Sequence, residues 1–452
     1  MKNILLIALL SISSISFAQN WGEPGSLKAN NLILAVHCDA NGNAYAGGKF
    51  KNTNGDFIVV KWDGTAWAEM GTGATSLYAN NYIQSICSDA AGNVYAAGKF
   101  TNTTFKNYVA KWNGAKWVEI GGGSALGVVG DINSICVDNK GNVYAAGAFK
   151  NSNGKYYVSK WDGTQWAEMG GGAKGLNSDS LIYSIAVDTA GNVYAAGRIT
   201  NIGGMKYVAK WDGDKWSELG GASATPLDAN DYINSVCTDI AGNVYAGGGF
   251  TNTNGDYSIA MYNGTDWNEV GGGSNSIAAN DDINSICIGN KGYIYAAGKF
   301  TNAGGKQYVA KWNGTKWSEL GAGASPLNAG DFINAISADS KGSVYAGGNF
   351  KNLSGSNYVA KFTFINAISE VNNSNDVQIY PNPANDYIAI SNTSLSKFKT
   401  EIYSVDGKLL KQNSYNNAAN NIIDISDLSR GVYMLKVIDG IGVSAKRIVI
   451  ER

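Results

Sequence analysis

The chain has 452 residues, a formal net charge of −1 and 16% charged residues, with 58 Gly and 25 Tyr. Nucleic-acid-binding proteins carry a clustered basic face, and this chain has neither a basic excess nor a run of Lys and Arg. Its only histidine is His37, which excludes catalytic metal sites built from two or three histidines.

Residues 1–18 predict a secretory signal peptide. Lys2 supplies a short positive segment, Ile4 to Leu10 form an apolar run, and Ser16-Phe17-Ala18 precedes a cleavage position at Gln19. The apolar run is too short to span a bilayer, which takes about 20 residues. We therefore expect export into the periplasm and a mature chain without a transmembrane segment.

Five cysteines follow the signal peptide, and an odd number cannot pair completely. Each occupies the same position in its repeat, which is Ala186 or Ser337 in two other repeats. A position that accepts Cys, Ala or Ser is a packing position for a small residue, so we expect free, buried thiols. The five are Cys38, Cys87, Cys136, Cys237 and Cys287.

A repeat of about 50 residues dominates the chain. One tyrosine, in a Tyr-Ala dipeptide, marks each copy, at Tyr45, Tyr95, Tyr144, Tyr194, Tyr245, Tyr295 and Tyr345. Seven copies with spacings of 49 to 51 residues indicate seven copies of one supersecondary unit, and this period is typical of propeller blades.

Each repeat predicts four short strands, as residues 131–170 illustrate. The first strand has alternating apolar residues and is followed by a turn, and the second strand is followed by a polar loop. The third and fourth strands contain tryptophan and are joined by a hairpin turn. Asp162-Gly163 predicts a two-residue hairpin turn. That turn would place Trp161 opposite Thr164 and put Trp161 and Trp166 on one face of the sheet.

The two ends of the repeat region predict a closed ring. The seventh repeat lacks the fourth strand with its tryptophan, whereas residues 20–25, NWGEPG, match that strand. A fourth strand supplied by the N-terminus would close the ring and remove exposed sheet edges. We therefore predict an all-β fold in which residues 19–365 form a seven-bladed β-propeller, closed by the N-terminal strand and followed by a small β-sandwich.

The repeats also resemble known families. The glycine pair Gly47-Gly48, the aromatic Trp62 and Trp67 occur in the order seen in kelch-type propeller repeats, and the segment Asp89 to Gly98 is similar to secreted bacterial β-propeller repeats. This resemblance concerns the fold, because propellers host many functions.

Candidate ligand-binding residues lie on one rim of the predicted ring. Aspartates precede the first strand of several repeats: Asp131, Asp231, Asp281 and Asp331, with Asp282 and Asp179 beside them. Tyrosines begin the third strand: Tyr108, Tyr157, Tyr207 and Tyr308. Carboxylates beside phenols suit a glycan, carboxylates with carbonyl oxygens suit Ca²⁺, and no other cofactor is expected. A purely structural role is the alternative for residues that recur once per repeat.

Binding is favoured over catalysis. The propeller contains a single arginine, Arg198, so it cannot build the arginine cluster with which sialidases hold a carboxylate. Nearly identical repeats favour a binding module for a glycan or protein ligand, because catalysis usually breaks symmetry in one or two blades. The alternatives are a carboxylate-based glycosidase or lyase and a structural surface protein. An enzyme site would be sought among the most deviant residues of repeats four and five: Arg198, Ile202, Met205, Met261 and Tyr262.

A separate module follows the repeats. Residues 366–375 predict a polar linker, and residues 376–452 predict a β-sandwich of about seven strands. Asp406-Gly407 lies between two apolar runs and predicts a hairpin.

Three motifs of this module resemble the type A sorting domain of the type IX secretion system of Bacteroidetes. The matching residues are Tyr380, Pro381, Asn382 and Pro383, then Asp424, Leu428, Gly431 and Tyr433, and the terminal strand that contains Lys446. The resemblance implies recognition by the type IX secretion machinery, passage across the outer membrane and removal of the module near the linker. The product would be extracellular, either released or fixed to lipopolysaccharide at the outer-membrane surface.

Overall fold

The computed structural model describes residues 20–122, 126–221, 225–322, 326–363, 378–391, 397–404, 409–415, 421–439 and 443–451. The predicted signal peptide and linker lie outside these residues. The chain divides into two compact units, one from Asn20 to Thr363 and one that contains the strands from residue 378 onward. In the described residues no helix is both long and apolar enough to cross a membrane.

The first unit consists of seven four-stranded antiparallel sheets, here called blades 1 to 7. β1 (Asn20–Gly22) precedes blade 1. Blade 1 contains β2 (Ile33–Cys38), β3 (Ala44–Gly48), β4 (Val60–Trp62) and β5 (Trp67–Glu69). Blade 2 contains β6 (Ile83–Ser88), β7 (Val94–Gly98), β8 (Ala110–Trp112) and β9 (Trp117–Glu119). Blade 3 contains β10 (Ile132–Val137), β11 (Val143–Lys150), β12 (Tyr156–Trp161) and β13 (Trp166–Glu168).

The remaining blades repeat this arrangement. Blade 4 contains β14 (Ile182–Val187), β15 (Val193–Gly197), β16 (Ala209–Trp211) and β17 (Trp216–Glu218). Blade 5 contains β18 (Ile233–Thr238), β19 (Val244–Thr251), β20 (Tyr257–Tyr262) and β21 (Trp267–Glu269). Blade 6 contains β22 (Ile283–Ile288), β23 (Ile294–Gly298), β24 (Ala310–Trp312) and β25 (Trp317–Glu319). Blade 7 contains β26 (Ile333–Ala338), β27 (Val344–Gly348), β28 (Ala360–Thr363) and β1. Short 3-10 helices occupy Gly73–Thr75, Gly172–Lys174, Gly273–Asn275 and Asn290–Gly292.

The first strands of the blades surround a common axis. Each of the strands β2, β6, β10, β14, β18, β22 and β26 contacts the next, and β26 contacts β2. Because the series of neighbours returns to its start, the seven blades form a closed ring, and the predicted seven-bladed β-propeller is confirmed.

The N-terminal strand closes this ring as predicted. Trp21 lies opposite Phe362 in the antiparallel pair of β1 and β28. The carboxylate of Glu23 accepts hydrogen bonds of 3.0 and 3.2 Å from the Asn352 side chain. The same Asn–Glu bond joins the loop and fourth strand in the other six blades, so residues 20–23 reproduce the fourth strand of an ordinary blade.

The tryptophan hairpins differ from the predicted register. Trp161 lies directly opposite Trp166, so the connection has four residues, and the predicted two-residue turn with Trp161 opposite Thr164 is wrong. The cause is the Asp162 side chain, which accepts hydrogen bonds from the backbone N–H groups of Thr164 and Gln165 at 2.8 and 2.9 Å and so stabilises a wider turn. The ring centroids of Trp161 and Trp166 are 6.0 Å apart, because directly opposite residues share a face.

The tryptophans of the fourth strands also join neighbouring blades. In each blade the indole N–H donates to a backbone carbonyl oxygen in the blade before it, at distances of 2.6 to 3.3 Å. The series includes Trp21, which donates to Leu320, and Trp67, which donates to Pro24. A buried indole needs such a partner, and here every partner lies across a blade boundary.

An aspartate closes the turn between the first and second strands of six blades. In blade 3, Asp138 accepts backbone hydrogen bonds from Lys140 and Asn142 and a 3.0 Å hydrogen bond from the Tyr144 hydroxyl group. The same aspartate–tyrosine bond recurs at Asp39, Asp89, Asp188 and Asp239. These aspartates are turn caps, and in five blades the repeated tyrosine is their partner.

All five cysteines are free, as predicted. Cys87 is buried and the other four are partly exposed. Burial raises the pKa of each thiol, and in Cys87 the nearby thiol of Cys136 adds to the effect. A thiol held in its protonated form is a weak nucleophile.

The C-terminal unit contains seven strands in its described residues. A three-stranded sheet has the order β29 (Gln378–Tyr380), β30 (Tyr387–Ser391) and β33 (Asn421–Asp424). A four-stranded sheet has the order β32 (Leu409–Tyr415), β31 (Phe398–Ser404), β34 (Gly431–Asp439) and β35 (Val443–Ile450). Ile388, Ile402, Leu435 and Ile448 are fully buried in one core. The predicted Asp406-Gly407 turn lies outside the described residues, but β31 and β32 on either side of it pair as a hairpin.

Candidate functional site

A cavity of about 620 Å³ opens on the axis of the propeller. Its walls come from all seven blades, because its lining includes Leu34, Gln84, Asn133, Tyr183, Asn234, Asn284 and Asn334, the second residue of each first strand. The lining is completed by five residues that directly precede first strands and by three that follow the glycines of second strands. They are Asp131, Leu181, Tyr232, Asp282 and Phe332, and Ala148, Arg198 and Lys299. We call this space the axial cavity.

Amide side chains fix the wall of the axial cavity. Asn133, Asn234, Asn284 and Asn334 each donate from Nδ2 to the carbonyl oxygen of the first isoleucine in the next blade, at 2.8 to 3.1 Å. Asn334 in blade 7 donates to Ile33 in blade 1, so the series crosses the closure of the ring. A wall held by hydrogen bonds between blades is preorganised for a ligand.

One ionic cluster lies on the rim at the boundary of blades 5 and 6. The Tyr232 hydroxyl group donates a 2.9 Å hydrogen bond to Oδ2 of Asp282, and Lys299 Nζ lies 2.6 Å from the same oxygen. Desolvation and the hydrogen bond to Asp282 raise the pKa of Tyr232 to about 12. The hydrogen bond to Asp282 also raises the pKa of Lys299, so the cluster stays an ion pair with a neutral phenol at neutral pH.

A second cluster of the same kind lies at the boundary of blades 2 and 3. The Tyr82 hydroxyl group donates to Oδ2 of Asp131 at 3.1 Å, and Lys99 Nζ is 4.0 Å from that oxygen. Desolvation and the charge of Asp131 raise the pKa of Tyr82 to about 12. Lys99 and Lys49 also face the Tyr82 ring, at 5.8 and 5.2 Å from its centroid. This cluster is looser than the one at Asp282, which leaves Asp131 more accessible.

Arg198 contributes a cation that has no acidic partner in the part of the chain that the structure describes. Its guanidinium carbon lies 5.5 Å from the centroid of the Tyr232 ring, and Tyr232 makes an edge contact with Tyr183 at 6.2 Å. Arg198, Tyr183 and Tyr232 all line the axial cavity. The wall of blades 4 and 5 therefore offers a five-donor guanidinium group beside two aromatic rings.

The predicted aspartates are divided by the fold. Asp131 lines the axial cavity. Asp231, Asp281 and Asp331 each accept a 2.7 Å hydrogen bond from the backbone N–H of the following residue, so part of their hydrogen-bonding capacity serves their own turns. In the pair Asp281-Asp282, it is Asp282 that lines the cavity and is almost fully buried.

The predicted tyrosines lie beneath the loops of the same face. Tyr108, Tyr157 and Tyr308 make edge contacts with Phe100, Phe149 and Phe300 at 4.9 to 5.0 Å between ring centroids. Tyr207 packs against the hydrophobic core of blades 3 and 4. Each of the four is partly exposed, and desolvation raises the pKa of each. The structure does not bring them to the axial cavity.

Of three cations that share one position on the rim, only Arg198 was singled out from the sequence, and Lys99 and Lys299 were not. Lys99, Arg198 and Lys299 occupy one position, directly after the last glycine of the second strand. That position is Lys49 in blade 1, Ala148 in blade 3, Gly249 in blade 5 and Asn349 in blade 7. The available signal was variation in size and charge at one position of an otherwise regular repeat, from Gly and Ala to Lys and Arg.

No metal centre is evident in the described ranges, where no three His, Cys, Asp or Glu side chains converge as ligands. His37 is half-buried in blade 1, and its Nε2 atom lies 2.8 Å from the Ser88 hydroxyl oxygen in blade 2. Burial lowers the pKa of His37 to about 4. A neutral histidine bonded across a blade boundary has a structural role there.

The motif residues of the C-terminal unit hold its first and last strands together. The Asn382 side chain donates to the carbonyl oxygen of Arg447 and accepts from the backbone N–H of Val449, both at 2.8 Å. Tyr380 and Pro381 precede Asn382, and Pro383 follows it. Asp424 accepts a backbone hydrogen bond from Ser426.

The second motif of this unit forms a turn before β34. Leu428 is buried, and its N–H donates to Ile425. Tyr433 donates from its hydroxyl group to Ser429 at 2.6 Å, just after β34 begins at Gly431. In β35, Lys446 pairs with Leu435 of β34. These residues therefore have structural partners inside the unit.

Three solved structures have a similar chain path. The extracellular domain of a one-component system protein from B. thetaiotaomicron is 14% identical with a TM-score of 0.48, over 93% of this chain and 56% of that one. The WD40 β-propeller domain of Doa1 is 13% identical with a TM-score of 0.46, over 76% and 96%. Virginiamycin B lyase from Staphylococcus aureus is 10% identical with a TM-score of 0.49, over 76% and 99%.

The present chain thus spans little more than half the length of the first of these proteins. No curated protein sequence matches the chain. The β-propeller assignment rests on the closed ring that the seven four-stranded sheets form.

A family model identifies the C-terminal unit. Residues 378–451 match the family described as the secretion system C-terminal sorting domain, and the match includes the three motifs and all seven strands of this unit. The module is therefore a C-terminal sorting domain of the type IX secretion route, recognised by the secretion machinery, and the chain that carries it is a secreted or cell-surface protein.

Proposed function

We propose that the propeller is a glycan-binding module that acts outside the cell, with its ligand in the axial cavity. The observation that carries this proposal is a preorganised cavity of about 620 Å³ with wall residues from seven blades. Small-ligand sites commonly occupy about 300–1,000 Å³. A protein partner would instead need a surface of roughly 800 Å² on each side, so the cavity favours a short sugar segment.

The chemistry of the wall supports a sugar ligand. Sugar hydroxyl groups donate and accept hydrogen bonds, and the cavity offers the amide of Gln84, the carboxylate of Asp131 and the guanidinium group of Arg198. Sugar rings also carry C–H groups that pack on aromatic faces, and Tyr183 and Tyr232 provide such rings. A cavity with both kinds of group can orient a ring and read its hydroxyl groups.

The electrostatics favour binding over hydrolysis. A carboxylate-based glycosidase needs one carboxyl group with a raised pKa as its general acid. In the propeller, the carboxyl groups that depart from their ordinary pKa are shifted down. Residues Asp39, Asp89, Asp138 and Asp188 of this set cap turns at the other end of the strands from the axial cavity. In the axial cavity, Asp282 is engaged by the Tyr232 hydroxyl group and by Lys299, and on this geometry we place recognition ahead of catalysis.

Export would begin with the predicted signal peptide. Under this proposal residues 1–18 direct the chain across the inner membrane, and the sorting domain then directs it across the outer membrane. Release from the cell and attachment to surface lipopolysaccharide both leave the axial cavity accessible to glycans outside.

The proposal is tested with the purified chain that lacks residues 1–18. Binding to xylan, pectin, laminarin and peptidoglycan is measured by affinity electrophoresis and calorimetry, with and without Ca²⁺, while reducing ends are assayed for cleavage. Arg198→Gln is expected to weaken binding, because Arg198 lines the cavity. Lys140→Gln is the matched control, since Lys140 lies in a turn at the opposite end of its blade. Equal binding by both variants would contradict the site, and release of sugar products would replace recognition with hydrolysis.

A further inference from the structure

Phe105 occupies a loop position with a left-handed backbone at which the other six blades have glycine. Its backbone φ is +59°, in the loop between the second and third strands of blade 2. The other blades place glycine there with φ between +71° and +89°, at Gly55, Gly154, Gly204, Gly255, Gly305 and Gly355. A bulky side chain is disfavoured in this left-handed region, so blade 2 carries a strained residue where a relaxed one is available.

The strain does not serve the core. Phe105 is 83% exposed, although burial is the usual gain from a phenylalanine. Strained residues that persist without a packing gain are candidates for function. The exposed ring therefore calls for a contact outside the chain.

A second exposed apolar residue lies on the adjacent segment. Val129, before the first strand of blade 3, is 69% exposed. In blade 2 the equivalent residue is Asn80, which exchanges two hydrogen bonds with Thr101. The segments of Phe105 and Val129 are joined by hydrogen bonds from Asn107 N–H to Val128 and from Gly130 N–H to the Asn107 side chain. Both departures from the repeat thus occur at one boundary, between blades 2 and 3.

This boundary is continuous with the rim of the axial cavity. Tyr82 and Asp131 form their hydrogen bond across it. Lys99, 4.0 Å from Asp131, begins the same loop that contains Phe105. Phe105 follows Lys99 by six residues on this loop, so a ligand that extends outward between blades 2 and 3 has the exposed ring as a candidate contact.

We propose that Phe105, with Val129 beside it, is an outer subsite for an extended glycan chain whose end occupies the axial cavity. The proposal rests on the glycan-binding function proposed above and deepens it. The apolar face of a sugar ring can stack on an exposed aromatic side chain, and an aromatic contact is worth enough to matter for affinity. The ligand class is therefore a polysaccharide of several units, and short oligosaccharides that fill only the cavity do not use Phe105.

The test compares chain lengths. Oligosaccharides of two and six units, prepared from xylan, pectin and laminarin, are titrated into the chain that lacks residues 1–18 and into the variants Phe105→Gly and Phe105→Asn. We expect roughly three- to ten-fold weaker binding of the six-unit ligand to both variants and unchanged binding of the two-unit ligand. Phe105→Trp keeps a ring and is expected to restore the affinity. Leu353→Ser, which removes an exposed apolar residue from the equivalent loop of blade 7, is the control.

The melting temperature of the Phe105 variants tests the backbone strain separately from ligand binding. Gly and Asn tolerate the left-handed backbone, so Phe105→Gly is expected to raise the melting temperature by about 1–2 °C while it weakens binding. A melting temperature that falls would overturn the strain argument. Equal loss for both chain lengths, or no loss, would overturn the outer subsite but leave the cavity as the binding site. An absence of binding by the unsubstituted chain to these three glycans and to peptidoglycan would overturn both proposals.

Discussion

The indole N–H of Trp21 donates a 2.9 Å hydrogen bond to the carbonyl oxygen of Leu320, 299 positions further along the chain. This single bond joins the first strand to blade 6 while β1 pairs with β28 in blade 7. The same indole–carbonyl bond joins each of the six remaining pairs of neighbouring blades. The closure of the ring therefore uses the same contacts as its interior.

Replacement of Trp21 tests this equivalence. Trp21→Phe keeps an aromatic ring but removes the donor, so the free energy of unfolding in urea is expected to fall by about 1 kcal/mol. Trp317→Phe is the matched variant, because Trp317 donates to Val270 at the same 2.9 Å inside the ring. Deletion of residues 20–25 removes the whole fourth strand of blade 7 and is expected to cost several times more. Unchanged stability of the deletion variant would show that the N-terminal strand does not close the ring.

The sequence predicted this architecture well because its signals are local and repeated seven times. Turn residues, alternating apolar residues and one missing strand were sufficient for the blades and for their closure. These signals did not predict the hairpin register, because the Asp162 side chain competes for backbone N–H groups and stabilises a four-residue connection. Only the structure shows which of these two turns prevails.

The candidate site was predicted in part for a related reason. The face was identified, and Asp131 lies in the axial cavity. Whether Asp281 or Asp282 faces the axis depends on the geometry of one turn, in which Asp281 accepts the N–H of its neighbour. Lys299 was missed, and Arg198 was noted only as a deviant residue, because their convergence on the axis follows from the ring and not from any motif.

The two rim clusters should differ in strength. Asp282 and Lys299 are 2.6 Å apart, with side-chain exposures of 9% and 43%, whereas Asp131 and Lys99 are 4.0 Å apart and more exposed. Double-mutant cycles with Asp282→Ala and Lys299→Ala are expected to give a coupling free energy of about 1 kcal/mol in urea unfolding. The Asp131–Lys99 cycle is the internal comparison and should give a value near zero. A larger coupling for Asp131–Lys99 would contradict the assigned geometry.

The thiols should be inert in the folded chain. Burial raises the pKa of the cysteines, so few thiolates form and the reagent has little access. With Ellman's reagent at about pH 8, we expect negligible reaction in native buffer and five thiols per chain in guanidinium chloride. Cys287→Ala should reduce the unfolded count to four without changing the native trace. Fewer than five thiols in the unfolded protein without reductant would mean that a disulfide had formed.

The capped aspartates predict how stability depends on pH. Burial alone would raise the pKa of Asp138, but hydrogen bonds from Asn142 and Tyr144 outweigh it and hold this pKa below its ordinary value. A lowered carboxyl pKa adds stability above the pKa of the unfolded chain, about 4, and this stability is lost as the pH falls through the folded pKa. We therefore expect the free energy of unfolding in urea to stay level down to about pH 5 and to fall below about pH 4. The variant Asp138→Asn should be less stable at neutral pH, and its free energy of unfolding should fall less steeply as the pH decreases. An unchanged pH dependence would mean that the pKa of Asp138 is not lowered in the folded chain.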